Sequence, residues 1–264
     1  MLELYHSVNS VCAQKARIAL VEKGIPYIDR LMTLRGDQYE PAYLKLNPNA
    51  VVPTLVHDGR AVTESSVILY YIDEVFPAPA LMPLDPHARA KVRMYNKLVD
   101  EYVHNSCMIL TFGTAFRGRL AQLPKDALDG EIAKTPIPKR ADYKRDVIAH
   151  GLQSQYIADA VRAHEKLLGW MEQSLAHSDY LAGKAYSLAD IAVIPYILRL
   201  DLIRLAPLWA KRASVAAWYE RMKARPAYQQ EIANRMTEAD WAPFKGFQNQ
   251  PDPWPQVVTH LKAA

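Results

Sequence analysis

At Phe76 the pattern of this chain changes, and that break limits its fold more than any other feature. Upstream, short runs suited to strands alternate with runs suited to helices. Downstream, after "FPAPALMPLDP", every periodic stretch has helical spacing. Pro77, Pro79, Pro83 and Pro86 exclude a regular helix interior across this segment. It reads as the connection between two domains of different class. We place the first domain at residues 1–80, the Pro-rich linker at 81–86 and the second domain at 87–264.

Residues 1–80 read as β-α-β-α-β-β-α. "LELY" alternates and predicts a strand. Cys12, Ala16, Ala19 and Leu20 share one helical face, and Gly24 is a fitting stop. "PYIDRLMTL" predicts a second strand. "DQYEPAYLKLNP" predicts a short helix ending before Pro48. "VPTLVHDGRAV" predicts a hairpin turning at Asp58-Gly59. From Ser65, the spacing of Val67, Ile68, Tyr71, Ile72 and Val75 predicts a helix.

Beyond the linker, Val92, Tyr95, Val99, Tyr102, Ile109 and Phe116 form the seam of one long amphipathic helix. Residues 117–151 are charged and Pro-bearing, and no clear element emerges there. Ile157, Val161, His164, Leu168, Met171 and Leu175 form another seam. "YSLADIAVIPYI" opens on Ser187-x-x-Asp190, a capping box with Asp in place of Glu or Gln. "SVAAWYERMKARPAY" predicts a shorter helix ending near Pro226. From Trp241 the chain is rich in Pro and aromatics and reads as an irregular tail.

Composition narrows the function. With 264 residues, half of them hydrophobic, the chain can bury a core without a metal or disulfide staple. Lys and Arg number 32 against 28 Asp and Glu, with no long run of one sign. That balance fits no nucleic-acid partner. Cys12 and Cys107 are far apart and no CxxC occurs, so neither a zinc knuckle nor a dithiol redox motif is expected. "MLELYHSV" lacks the marks of a signal peptide. The most apolar window, "SLADIAVIPYILRLDLI", carries Asp190, Pro195, Arg199 and Asp201 and is too polar to span a membrane. The expectation is a cytoplasmic, reduced protein with no metal.

Three features can carry chemistry. Pro53 opens an apolar strand. If Val52-Pro53 is cis, the backbone of Val52 turns outward and can pair with an extended peptide; otherwise Pro53 is a trans proline starting an edge strand. Glu64 and Ser65 stand where a strand ends and a helix begins. They can be a plain cap, or they can bind the carboxylate and ammonium of an α-amino-acid end. In "SVNSVCAQKARIAL", Ser10 and Cys12 lie at the start of the first helix, in a positive local field that favours a thiolate. Ser10 can equally be a cap, and Cys12 a small residue of the packing face, which is the reading we favour for it.

The order Ser10-x-Cys12-x-x-Lys15-x-Arg17, Asn47-Pro48, Val52-Pro53, Thr63-Glu64-Ser65 and Ser187-x-x-Asp190 resembles the cytosolic glutathione transferase superfamily over essentially the whole chain. The resemblance implies an α/β, thioredoxin-like N-terminal domain and an all-helical C-terminal domain, in a homodimer. It implies that glutathione pairs with Val52 before a cis Pro53. Glu64 and Ser65 then take its γ-glutamyl end, and Gln38 or Lys45 approaches its glycine carboxylate. The second, electrophilic substrate is expected against the C-terminal helices, with Val8, Asn9, Phe112 and Phe116 as candidate lining; helix packing is an equal expectation for the two Phe.

Within the superfamily, "SVCAQKARIALVEKGI" is similar to zeta-class isomerases, where the Ser at Ser10 serves the glutathione thiolate. It is also similar to bacterial tetrachlorohydroquinone dehalogenases, where the Cys at Cys12 is the reactive thiol. "VTESSVILYYIDEVFPAPALMPLDPHARAKVR", "VDEY" and the insertion with "TPIPKR" resemble bacterial glutathione-dependent β-aryl etherases. The leading expectation is an enzyme in which Ser10 stabilises a glutathione thiolate that attacks an aromatic electrophile. The alternatives are a Cys12-dependent thiol transferase or reductive dehalogenase, and a glutathione-binding module without catalysis.

Overall fold

A computed structural model of the chain describes residues 1–137 and 139–262. Its first elements are β1 (Leu2–His6), α1 (Val11–Glu22), β2 (Ile28–Leu31), α2 (Pro41–Leu44), β3 (Thr54–His57), β4 (Arg60–Val62) and α3 (Ser65–Val75). They follow the β-α-β-α-β-β-α order. The four-stranded sheet runs β2-β1-β3-β4; β1 pairs parallel with β2, and the other two pairs are antiparallel.

Local chemistry explains the boundaries. Gly24 adopts φ +64, and Ile25 N–H reaches Leu20 O at 2.9 Å while Gly24 N–H reaches Val21 O at 2.9 Å. That closes α1 with a Schellman motif, which needs a left-handed residue. Asp58 (φ 47) and Gly59 (φ 76) form the tight turn between β3 and β4, and two positive φ values match the twist of a two-residue hairpin. The expected helix over 37–48 is broken: a 3-10 turn at Asp37–Tyr39 precedes α2, because Pro41 starts a new helical turn.

The helices that follow are α4 (Pro86–Leu98), α5 (His104–Gly113), α6 (Arg117–Leu120), α7 (Lys125–Ala133), α8 (Arg140–His150), α9 (Ile157–Leu175), α10 (Leu188–Leu202), α11 (Ala213–Lys223), α12 (Pro226–Tyr228), α13 (Glu238–Gln248) and α14 (Trp254–Lys262). The long helix predicted from Val92 to Phe116 is interrupted. A π-helical segment at Val99–Val103 joins α4 to α5, and the helix stops at Gly113. The wider turn shifts the seam: Val99 and Val103 are buried, whereas Tyr102 is 49% exposed. The tail read as irregular is corrected too, since it forms α13, with Pro243 inside it, and α14.

The described chain parts into two compact units. One holds Met1–Asn96, His177–Pro195 and Trp218–Thr237; the other holds Lys97–Ala176, Tyr196–Ala217 and the residues from Glu238 onward. In the first unit α1 packs against α3, and Leu2, Leu4 and Leu55 are buried in the sheet. In the second, α5 packs against α8 and α9, and Leu120, Ile132 and Ile148 form an apolar cluster. Among the described residues no helix is long and apolar enough to cross a membrane.

Candidate functional site

Ser10 is the last residue of the loop between β1 and α1. Its extended backbone (φ −75, ψ 117) makes it the N-cap of α1, and its Oγ accepts from Ala13 N–H at 3.2 Å. No acidic residue lies in the first turn of α1, so the positive end of the helix is not neutralised locally. Cys12 is the second residue of α1 and is half-buried, so its side chain is not wholly within the packing face. Cys107, in α5, is buried, and neither cysteine is in a disulfide.

The Val52–Pro53 peptide bond is cis. Val52 is buried, and among the described residues no hydrogen bond is made to its backbone N–H or C=O. The loop before it is firmly held: Val51 O accepts from Tyr43 Oη at 2.5 Å and from Asn47 Nδ2 at 2.9 Å. Ala13 shares one apolar cluster with Val52, Met32 and Tyr43, which ties the start of α1 to this loop.

Glu64 precedes α3 with φ +64 and ψ 114. A non-glycine residue there costs on the order of 1–3 kcal/mol, and such residues concentrate at ligand sites. The Glu64 side chain is exposed, and Ser65, first residue of α3, is buried. Lys15, fully buried in α1, donates to Ser66 Oγ at 3.3 Å and so ties α1 to the start of α3. Three candidate elements, the Ser10 cap, the Val52 loop and the Glu64–Ser65 corner, are thus joined through α1. Gln38 is buried, and its Oε1 accepts from Gly36 N–H at 3.0 Å, which commits that oxygen to its own turn. Lys45 is exposed at the C-cap of α2.

Behind the Ser10 loop lies a buried ionic cluster. Arg17 is fully buried and donates to Ser7 O at 3.2 Å, Val8 O at 3.1 Å and Glu231 O at 2.9 Å. Burial lowers its pKa to about 10, so it stays charged at neutral pH. Its Nη1 also donates to His6 Nδ1 at 3.2 Å, which leaves His6 Nε2–H to donate to Asp29 at 2.5 Å. Arg235 pairs with Asp29 and, at 3.1 Å, with Glu231.

Burial, then the Arg17 charge, lowers His6 to about 4. In α9, burial lowers His164 to about 4 as well. Both are therefore neutral in the folded protein, whereas the unfolded chain takes up their protons near pH 6.5. Stability they contribute is complete above that pH and declines as pH falls toward about 4. We expect a loss on the order of 3 kcal/mol per histidine at the acid end. Urea melts at pH 7.5 and pH 4.5 check it: His164→Gln should show a shallower loss than the parent, and an unchanged loss refutes the assignment.

Val8 is buried and Asn9 half-buried, both in the first unit. Phe112 and Phe116 belong to the second unit. They are half-buried, meet edge-to-face at 5.6 Å, and pack against the Leu120, Ile132 and Ile148 cluster. Lys144 Nζ lies 4.7 Å from the Phe112 ring centroid, and Arg199 lies over Phe116 and Phe244. Among the described residues no group of three His, Cys, Asp or Glu side chains could hold a metal ion.

Sequence reading singled out no site role for Gln14, Lys15 or Arg17, which as polar types on α1 would ordinarily mark a solvated face. All three are buried. The available signal was the absence of any other polar face between Val11 and Leu20.

Residues 9–75 match the glutathione S-transferase N-terminal domain family, and residues 138–226 match the glutathione S-transferase C-terminal domain family. Protein LigF of Sphingobium sp. (strain NBRC 103272 / SYK-6) is 30% identical over 241 residues, covering 87% of this chain and 92% of LigF. The tetrachloro-p-hydroquinone reductive dehalogenase of Sphingobium chlorophenolicum is 28% identical over 239 residues, covering 86% of this chain and 94% of that protein. The crystal structure of the β-etherase LigF superposes with a TM-score of 0.78 at 28% identity, covering 88% of this chain and 99% of that one.

Proposed function

The chain belongs to the glutathione S-transferase family, a glutathione-dependent enzyme family, and on that premise we propose that its bound glutathione thiolate, stabilised by Ser10, attacks an electrophilic carbon of an aromatic substrate. The observation that carries the reading is the Ser10 hydroxyl at the N-terminus of α1. A hydroxyl has one proton to donate and two lone pairs. Its Oγ accepts from Ala13 N–H, so the proton remains for a sulfur. The helix end adds a positive field. A free thiol is only a few per cent ionised at neutral pH, so favouring the thiolate supplies the nucleophile.

Binding follows from the same unit. The unpaired backbone of Val52, beside Pro53, offers a donor and an acceptor to the cysteinyl peptide of glutathione. Glu64 accepts from the γ-glutamyl ammonium, and Ser65 with the positive N-terminal end of α3 holds its carboxylate. Lys45, exposed and cationic, takes the glycine carboxylate; Gln38 offers its side-chain amide beside it. Val8 and Asn9 are our candidates for contact with the electrophile on this unit. We place this chemistry on residues 1–80 of a cytoplasmic homodimer. The relatives named a β-etherase and a hydroquinone dehalogenase support an aromatic substrate, with β-aryl ether cleavage the leading reaction.

The test is turnover with glutathione on a β-aryl ether, a halogenated hydroquinone and a chloronitrobenzene, in the parent and in Cys12→Ser. We expect glutathione-dependent turnover of the ether that Cys12→Ser retains. Loss of all turnover in Cys12→Ser, with a glutathione adduct on Cys12 by intact mass in the parent, overturns the reading in favour of a cysteine-based enzyme. Turnover of none of the three, with no calorimetric binding of millimolar glutathione, overturns it in favour of a module without catalysis.

A further inference from the structure

We infer that Arg17 is a positioning residue for the Ser10 hydroxyl, held in turn by Glu231. The inference rests on the thiolate role of Ser10 given above and adds the device that fixes Ser10 in place. Ser10 is approached through Ser7, Val8 and Asn9, and no regular element fixes that loop. Its carbonyls are fixed instead by side chains from α1. Ser7 O accepts from Arg17 at 3.2 Å and from Ser10 N–H at 3.1 Å. Val8 O accepts from Arg17 at 3.1 Å and from Gln14 at 3.3 Å. One guanidinium therefore spans two consecutive peptides, and the second half of the loop hangs from the same carbonyls.

The fork of Arg suits this task and Lys does not, because only a planar guanidinium donates to two fixed carbonyls at once. The guanidinium is itself clamped from a segment far along the chain. Glu231, 2% exposed, accepts from it through its backbone O at 2.9 Å, and its Oε2 lies 3.2 Å from Arg17 Nε. The latter is an ion-pair contact without hydrogen-bond geometry. Arg235 reaches the same Oε2 at 3.1 Å. Without this clamp, among the described residues, Ser7 O keeps only Ser10 N–H and Val8 O only Gln14, and misplacement of a catalytic group by about 1 Å can cost as much as 100-fold in rate.

Four proteins test the inference: the parent, Ser10→Ala, Arg17→Met and the double variant. Two readouts are taken, the pKa of bound glutathione from thiolate ultraviolet absorbance against pH, and kcat with KM for glutathione. Arg17→Met should raise the thiol pKa and lower kcat about 10-fold at neutral pH, with a smaller change in KM. In the Ser10→Ala background it should do nothing further, because a residue acting through Ser10 has nothing left to act on. Arg17→Lys should recover only part of the loss.

If Arg17→Met lowers the melting temperature but leaves thiol pKa and kcat at parent values, Arg17 is structural and the inference is wrong. An equal loss in the Ser10→Ala background is also fatal, since Arg17 would then act on the thiolate by its own charge. Should Arg17→Met not fold, Glu231→Gln keeps Arg17 and its backbone acceptor while removing the clamping charge. It should raise the thiol pKa by less, again only when Ser10 is present; no rise in that folded variant overturns the inference. If Ser10→Ala itself leaves the thiol pKa unchanged, it is the thiolate reading that fails, and Arg17 with it. If Ser10→Ala raises the pKa and the Arg17 and Glu231 variants do not, only the present inference fails.

Discussion

Asp190→Ala is expected to give a protein that melts far below the parent or fails to accumulate in soluble form. The fully buried Asp190 carboxylate accepts four hydrogen bonds: from Leu181 N–H at 3.0 Å, Ser187 N–H at 3.0 Å, Ser187 Oγ at 3.1 Å and Trp218 Nε1 at 2.8 Å. Burial pushes its carboxyl up, and the four donors pull it back. The alanine variant leaves two backbone N–H groups and an indole N–H buried without an acceptor. Each orphan costs roughly 1–3 kcal/mol. The terms share one site and do not add fully, so we expect a total near 3–5 kcal/mol. Against an ordinary domain stability of ~5–15 kcal/mol, that is decisive.

Two further variants separate the cause. Trp218→Phe removes one donor with its acceptor still satisfied, and should cost much less. Asp190→Asn keeps one acceptor oxygen but turns an NH2 toward donors, and should fall between the two. Thermal melts of the three proteins, with soluble yield, give the ranking. A melting temperature for Asp190→Ala within error of the parent contradicts the account.

This cap was legible in the sequence because its parts are local: Ser187 and Asp190 are three residues apart and precede an apolar run. The Asp58-Gly59 turn, the Gly24 stop and the β-α-β-α-β-β-α order were legible for the same reason. Each is written in turn chemistry or in a period of a few residues. What failed was non-local or broke a period. The π-helical segment at Val99–Val103 adds backbone inside a seam that sequence counting assumes to be regular, so Tyr102 was placed on the wrong side. Residues 117–151 hold the short helices α6, α7 and α8, with Pro124 and Pro136 in the breaks between them, and the tail holds α13 and α14, with Pro251 and Pro253 in the break between those. In the tail, Pro255 falls in the first turn of α14, where a missing N–H is harmless, and only Pro243 is interior. The Arg17–Glu231 pair was invisible because 214 residues separate its partners. A buried charge is safe only with its counter-charge, and no local pattern names a partner that far away.

Ser10→Ala bears most directly on activity. In sequence Ser10 reads as either a helix cap or a thiolate partner; the structure shows the cap, and that role is compatible with the proposed one. Oγ accepts from Ala13 N–H, which is the cap, and the hydroxyl keeps its one proton, which in the proposed reading it donates to the sulfur. The alanine variant therefore loses two things with separate magnitudes. The cap is worth about 1 kcal/mol, read as a lower melting temperature. A hydrogen bond to a charged group is worth about 1.5–3 kcal/mol, which corresponds to a rise of roughly one to two units in the pKa of the bound thiol. At neutral pH the thiolate fraction then falls, and kcat should drop about 10- to 100-fold with a smaller change in glutathione affinity. Because the lost factor is a protonation equilibrium, raising the pH should recover much of the rate. A loss that is constant with pH would mean that Ser10 places the substrate and does not tune the sulfur. Full activity at neutral pH, with an unchanged thiol pKa, would remove Ser10 from the mechanism and leave Cys12, half-buried two residues along the same helix end, as the remaining thiol to test.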